Sequence, residues 1–462
     1  MPRLAADPAV RRRILAGTAY ALALFGAFWI IAASCGTPER GARLFDAGRL
    51  EEARPLLAAA ALRGSVPSSY RLGLLLEGGD DGPPDLRRAL ALYRHAAAKN
   101  HIAGMTRAGD LERAVAGDDA AAARFYDKAA RRGDPTAMAR LGVMLFTGTG
   151  VPADRDAALA LLRRAADAGD ARAATTLGQA LLSLAEAGDP RGGDAAQAAA
   201  LFQAAGDAGE PEALYRLADL YAAGKGVPRD AAKAAALRRK AAEAGYAPAA
   251  YALGLDYLSG QGVTAYPLEA ARLFSRAAEA GHVPAMLKLA DMYAAGLGVF
   301  RDAHRALTLY DAAGAASDDA AATLCRLFAA GPEDRRDAAR AARFCAKAAA
   351  AGDAPSATLL GLGMVRGRLP GDVAAGTTLL SRAAWAGEPG AMYAMALLHL
   401  AGTGVAGNPA EAFRWCRLAA DAGMPEAKTL LAALSEEEFP SAANLAKAMD
   451  FYREAAEAGD AE

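Results

Sequence analysis

Aromatic residues make up only 6% of this 462-residue chain, and the 53% hydrophobic content leans instead on alanine runs such as Ala58 to Ala61 and Ala120 to Ala123. Alanine is the best helix former but buries little surface, so a core made of it needs close helix packing over a long interface. That argues against an all-β sandwich or barrel. Net charge is nearly absent, −1 with 23% charged residues, which leaves no bulk basic field for nucleic acid. Cysteine is scarce too: Cys35, Cys325, Cys345 and Cys416 include no Cys-x-x-Cys pair, so a zinc site is not expected. The five histidines, His95, His101, His282, His304 and His399, form no His-x-x-x-His or His-Glu-x-x-His pair. No Gly-x-Ser-x-Gly elbow supports a serine nucleophile. The expectation is no metal, no cofactor and no catalytic site. At this length one compact core is improbable, which leaves several domains or an array growing along one axis.

What is present begins with an apolar segment. Arg11, Arg12 and Arg13 precede an uncharged stretch of 21 residues, Ile14 to Ser34, that ends at Cys35. Basic residues before an apolar run indicate export, and the length suits a bilayer span of roughly 20 residues. The ending Ile31-Ala32-Ala33-Ser34-Cys35 resembles a bacterial lipobox, in which the cysteine receives the lipid, although Ala32 stands where that motif usually has leucine. Residues 1–36 are therefore expected to be a signal or anchor, either a lipoprotein signal with Cys35 lipidated or, less favoured, a retained helix. Both place residues 37–462 outside the cytoplasmic membrane.

Beyond Cys35 the chain repeats. The pattern Ala-Ala-x-x-Gly recurs, as in Lys128 to Gly133, Arg164 to Gly169 and Lys240 to Gly245, with further copies at Gly64, Gly209, Gly281, Gly352, Gly387, Gly423 and Gly459. Asn100 and Ser317 hold the same register in two weaker copies. Intervals run from 33 to 40 residues and are mostly 36, which indicates a solenoid of one supersecondary unit. In the copy from Glu210 to Gly245, Pro211 suits a first turn and Leu214, Leu217, Ala218 and Tyr221 recur at helical spacing. Gly224-Lys225-Gly226-Val227-Pro228 stops that helix, and Asp230 stands at the N-cap of a second, whose apolar stripe is Ala234, Leu237, Ala241 and Ala242. The unit is an αα-hairpin, with helix A, a glycine turn and helix B, repeated about eleven times. The glycines follow helices, not strands, so they are helix-capping turns and not phosphate loops.

The pattern Leu-Gly-x-x-Tyr, Gly-x-Gly-Val, Asp and Ala-Ala-x-x-Gly resembles the Sel1-like repeat family. It is carried by Leu253-Gly254-Leu255-Asp256-Tyr257 with Gly260 to Val263, by Leu289 to Tyr293 with Gly296 to Val299, and by Leu141-Gly142 with Gly148 to Val151. The resemblance implies an all-α, right-handed superhelical solenoid related to tetratricopeptide repeats, acting as an adaptor or scaffold and carrying no catalytic residues. Copies around Gly109, Ala185 and Gly331 lack the Gly-x-Gly-Val turn, and Gly188 to Gly193 is an insertion, so bending or loosening is expected there.

Candidate sites are few. The residue seven places after each anchor is Arg71, Arg107, Arg140, Arg216 and Lys288, and equivalent positions of a solenoid stack into a column. Such a cationic ridge would suit an acidic protein face or an anionic polysaccharide. Cys325 and Cys345 lie equally far from the turn at Arg335, so a disulfide is geometrically possible in an oxidising compartment. His399 stands where other copies have Tyr221, Tyr257 and Tyr293, and packs in a tyrosine's place. The run Glu436-Glu437-Glu438 is a solvated surface. The last copy, Glu454 to Gly459, presents a helix face to be capped by Arg453 and Glu457 or covered by another molecule.

The function that follows is a non-enzymatic, membrane-anchored scaffold of the bacterial envelope that binds one or more envelope proteins. Anchor, short spacer and repeat array together resemble the lipoprotein scaffolds of exopolysaccharide secretion. Direct binding of an anionic polysaccharide or other envelope glycan is the alternative.

Overall fold

The structure, a computed structural model, describes residues 38–79, 83–191 and 193–438. The apolar stretch before Cys35, Cys35 itself and the copy ending at Gly459 lie outside the described residues, as do the side chains of Glu436 to Glu438. Among the described residues there are 23 α-helices and no strand, and no helix is long and apolar enough to cross a membrane. The fold is the helical-hairpin solenoid expected from the period.

The chain divides into two compact units, Met1–Leu237 and Arg238–Glu462. In the first, successive hairpins include Val66–Gly78 with Leu86–Ala98, Ile102–Leu111 with Asp119–Ala130, Pro135–Thr147 with Arg155–Asp167, and Ala171–Glu186 with Ala195–Asp207. In the second they include Ala247–Ser259 with Pro267–Glu279, Val283–Ala295 with Ala303–Ala316, Asp318–Ala330 with Ala338–Ala350, Ala354–Val365 with Val373–Trp385, and Pro389–Ala401 with Pro409–Asp421. Within each unit a helix packs on the one before and the one after it.

Local chemistry explains the boundaries. Aspartates at the start of helix B, among them Asp85, Asp118, Asp154 and Asp194, accept a backbone N–H of the first turn, which satisfies one of the donors a helix start leaves open. The first glycine of each turn closes helix A in the left-handed region, as Gly224 does at φ 69° with its N–H donating to the Leu220 carbonyl. The second glycine serves packing between repeats. A Cβ on Gly226 would come within 2.2 Å of the Ala195 backbone, so only glycine lets this turn sit on the start of the preceding helix B.

Inside each hairpin a large side chain of helix B fills the space over a small residue of helix A. Tyr93 lies over Gly73, Tyr126 over Gly109, Phe202 over Gly178 and Phe274 over Gly254, so close that a Cβ on any of these glycines would be 2.5 to 2.7 Å from the ring. These rings are fully buried. The alanine pairs Ala96-Ala97, Ala129-Ala130 and Ala277-Ala278 are buried beside them, which gives the abundant alanine its role: close approach without bulk.

The three irregular copies adjust locally. After Leu111 the helix passes into a π-helical turn, Glu112–Ala116, whose buried Glu112 takes a bidentate pair from Arg94 at 2.7 and 2.8 Å. Ala171–Glu186 runs to 16 residues against the usual 13. Glu333–Arg335 is a single 3₁₀ turn in place of the glycine turn.

Candidate interaction surface

Four of the five column residues meet the protein's own carboxylates. Arg71 lies 3.5 Å from Asp46, Arg107 lies 3.3 Å from Glu77 and 3.9 Å from Asp110, Arg140 lies 3.0 Å from Asp110, and Arg216 lies 3.2 Å from Glu212. Arg107 and Arg140 thus share Asp110. The acids are also the partners of buried phenols: Tyr93 Oη donates to Glu77 and Tyr126 Oη to Asp110, each at 2.7 Å. Tyr310 repeats the motif with Asp291, which Arg335 approaches at 3.5 Å. Burial, and then the bond to the acid, push the Tyr93, Tyr126 and Tyr310 phenols above their ordinary range, and burial also raises the Asp110 carboxyl. At Arg71, Arg107 and Arg140 the column ties one hairpin to the next, through Glu77 and Asp110 as a ladder of tyrosine, carboxylate and guanidinium, whereas Arg216 pairs within its own helix. Lys288 differs, having no ion-pair partner among the described residues. It borders a cavity of about 560 Å³ together with Ser259, Gln261, Arg238 and Asp256.

That cavity contains a pair the sequence reading missed. Arg238 Nη1 donates to both oxygens of Asp256, at 2.7 and 2.8 Å, and Asp256 is only 5% exposed. Elsewhere in the chain the position of Arg238 is held by Tyr126, Leu162, Phe202 and Phe274, and that of Asp256 by Met144, Leu220 and Met292, all buried. The signal was available as two charges in otherwise apolar registers.

Cys325 and Cys345 are joined as a disulfide with Cα atoms 4.7 Å apart. Their sequence separation, 20 residues, is that of Tyr93 and Gly73, so the cystine occupies the place where other hairpins set a ring over a glycine. Cys416 is buried with a free thiol that donates to the Ala427 carbonyl at 3.1 Å, and burial pushes its pKa up to about 12.

No cluster of three or more His, Cys, Asp and Glu side chains suited to a metal occurs among the described residues. His101 and His282 instead cap helices: their Nδ1 atoms accept the N–H of Gly104 at 3.0 Å and of Ala285 at 3.3 Å. Each ring packs on a tyrosine, Tyr70 and Tyr251. His399 places Nδ1 at 3.2 Å from the Ala406 carbonyl, across its own turn.

A second feature escaped the sequence reading. Tyr266, Leu268, Leu297 and Phe300, which lie in two successive turn regions of the second unit, are exposed, Phe300 to 96%. Nothing in the repeat's packing uses Phe300.

A sequence model of the Sel1 repeat matches ten segments, residues 66–101, 104–134, 135–170, 176–210, 211–246, 247–282, 283–318, 319–353, 389–424 and 425–460. The hairpin Ala354–Val365 with Val373–Trp385 falls between two of them and has the same form without the match. Among solved structures, the chain is similar to c5321, a protective antigen of uropathogenic Escherichia coli strains displaying an SLR fold, at 26% identity over 88% of this chain and 87% of that one, with a TM-score of 0.47. It is likewise similar to a Sel1 repeat protein from Oxalobacter formigenes, at 27% identity over 53% of this chain and 100% of that one, with a TM-score of 0.48. No curated protein matches the chain.

Proposed function

The chain belongs to the Sel1 repeat family, and on that premise we propose that it is a non-enzymatic scaffold of the bacterial cell envelope, anchored to a membrane through its N-terminal segment. Sel1 repeat proteins mediate protein–protein interaction. A solenoid of short hairpins offers a long surface with little interior for chemistry, and its regular polar groups here are spent on one another.

The observation that carries the envelope assignment is the Cys325–Cys345 bond. Disulfides persist outside the cytoplasm and are rare within it. The triple arginine, the uncharged stretch and Cys35 support the same side of the membrane, with lipidation of Cys35 favoured over a retained helix. Because the arginines of the column are already paired with carboxylates, partner proteins suit this surface better than an anionic polysaccharide. Anchor and array together remain compatible with an exopolysaccharide secretion complex.

Purification of the intact, membrane-anchored protein with its partners, identified by mass spectrometry, tests the proposal. A defined envelope complex is expected; recovery of the protein alone with bound glycan overturns the scaffold reading. Non-reduced peptide mapping tests the compartment: free thiols at both Cys325 and Cys345 in protein from cells would remove its main support.

A further inference from the structure

The turn between Val283–Ala295 and Ala303–Ala316 departs from the pattern of its own chain. The residue between the two turn glycines is Thr149, Lys225, Gln261 and Thr403 in other copies, and here it is Leu297. The residue after the valine is Pro152, Pro228, Thr264 and Ala406 elsewhere, and here it is Phe300. One repeat earlier, Tyr266 holds the N-cap position where Asp154, Asp302 and Asn408 accept backbone N–H groups, and it makes no such bond. Losing a cap costs about 1 kcal/mol. Helix stability does not account for the tyrosine, and packing does not account for the phenylalanine.

These departures converge in space. A Cβ on Gly298 would lie 2.5 Å from the Pro267 backbone, so the later turn rests on the start of helix Pro267–Glu279, directly after Tyr266. Tyr266 is 52% exposed, Leu297 48% and Phe300 96%. Leu268, Tyr293, Val299 and Phe300 line the apolar side of a groove of about 790 Å³, with Arg301 and Arg305 on its polar side. Its one lining carboxylate, Asp302, is occupied, accepting the Arg305 N–H at 3.0 Å and pairing with Arg305 Nε at 3.3 Å. Arg305 also donates to Tyr293 Oη at 3.3 Å. Arg301 has no acidic partner among the described residues.

We propose that this groove docks an acidic segment of a partner protein, one large apolar side chain seating beside Phe300 while a neighbouring carboxylate pairs with Arg301. The inference rests on the scaffold reading above and names the surface that serves it. An exposed apolar patch with a polar rim marks an interaction site, and aromatic and arginine side chains concentrate binding energy. Charge complementarity selects the acidic flank, because the rim offers a guanidinium and its own carboxylate is engaged.

The test uses the full chain and short fluorescein-labelled peptides with a central phenylalanine flanked by aspartates, the same peptide flanked by lysines, and the aspartate peptide with alanine at the centre. The acidic phenylalanine peptide should bind about tenfold or more tightly than either control, and Phe300→Ser should remove that advantage. Arg301→Glu should reverse the preference for flanking charge. Neither substitution should move the melting temperature, since both side chains lie at the surface. Affinity indifferent to Phe300 and to flanking charge overturns the proposal. So does a dimer that Phe300→Ser dissociates, or binding to phosphatidylglycerol vesicles in place of the peptide. In cells, benzoylphenylalanine at position 300 should cross-link a partner protein in a manner the acidic peptide competes. Cross-links from the exposed position 385 alone would leave the scaffold reading standing and reject this groove, whereas none from either position counts against both.

Discussion

The basic ladder of helices Val66–Gly78, Ile102–Leu111 and Pro135–Thr147 and the apolar turn at Phe300 both reach solvent, but the protein uses them in opposite ways. In the ladder each arginine finds a carboxylate of its own chain, and each of Glu77 and Asp110 also holds a buried phenol. At the turn, Phe300 and Leu297 are exposed and Arg301 is unpaired among the described residues. The ladder recurs with the repeat, and what recurs joins one hairpin to the next. The turn belongs to one place only, and there the packing leaves groups over for something else.

Denaturation of Tyr126→Ala and Phe300→Ala gives the largest contrast. The first empties a fully buried position and should cost about 3–5 kcal/mol, while the second should stay within about 0.5 kcal/mol. Equal costs would erase the distinction between the two regions.

The Arg238–Asp256 pair offers a sharper version, because it is a departure from the repeat that is buried instead of exposed. Arg238→Met alone leaves a buried carboxylate and should cost about 3–5 kcal/mol, whereas Arg238→Met with Asp256→Leu should recover most of that loss. Chemical denaturation of the two variants decides it.

Charge reversal in the column should matter less. Arg216→Glu acts on a partly exposed pair within one helix and should cost about 1 kcal/mol or less, while Arg140→Glu also sets a second carboxylate beside the largely buried Asp110 and should cost about 1–3 kcal/mol. Partner affinity and its salt dependence should be unchanged, and a loss comparable with that of Arg301→Glu would make the column a docking surface after all.

The smallest effect concerns pH. Burial lowers the pKa of His101, with Arg71 adding to it, and burial lowers that of His282. The neutral ring is the cap, so protons favour the unfolded chain and stability should fall as pH drops below about 6.5. Thermal melts between neutral and mildly acidic pH should show that slope reduced in His101→Asn with His282→Asn.

Much of this was legible beforehand. Pro211, Gly224, Asp230 and Gly245 predict the hairpin that forms, since caps and helix breakers act within a few residues. The equal distances of Cys325 and Cys345 from Arg335 place them opposite each other for the same reason. The column of Arg71, Arg107 and Arg140 was legible as positions but its pairing was not, because Asp46, Glu77 and Asp110 reach it from other helices, whereas the Arg216–Glu212 pair lies four residues apart on one helix and was readable locally. Phe300 and Tyr266 were legible only as departures from register, and no single copy displays that.

The sequence by itself determined the period, the hairpin and the place of alanine at helix contacts, because those depend on local propensity and on a pattern repeated many times. Tertiary structure alone decided which polar groups are spent and which are left over. Ion pairing and exposure depend on residues some thirty positions away that packing brings within about 3 Å, as Asp110 is brought to Arg140 while Arg301 keeps its charge at the edge of the groove.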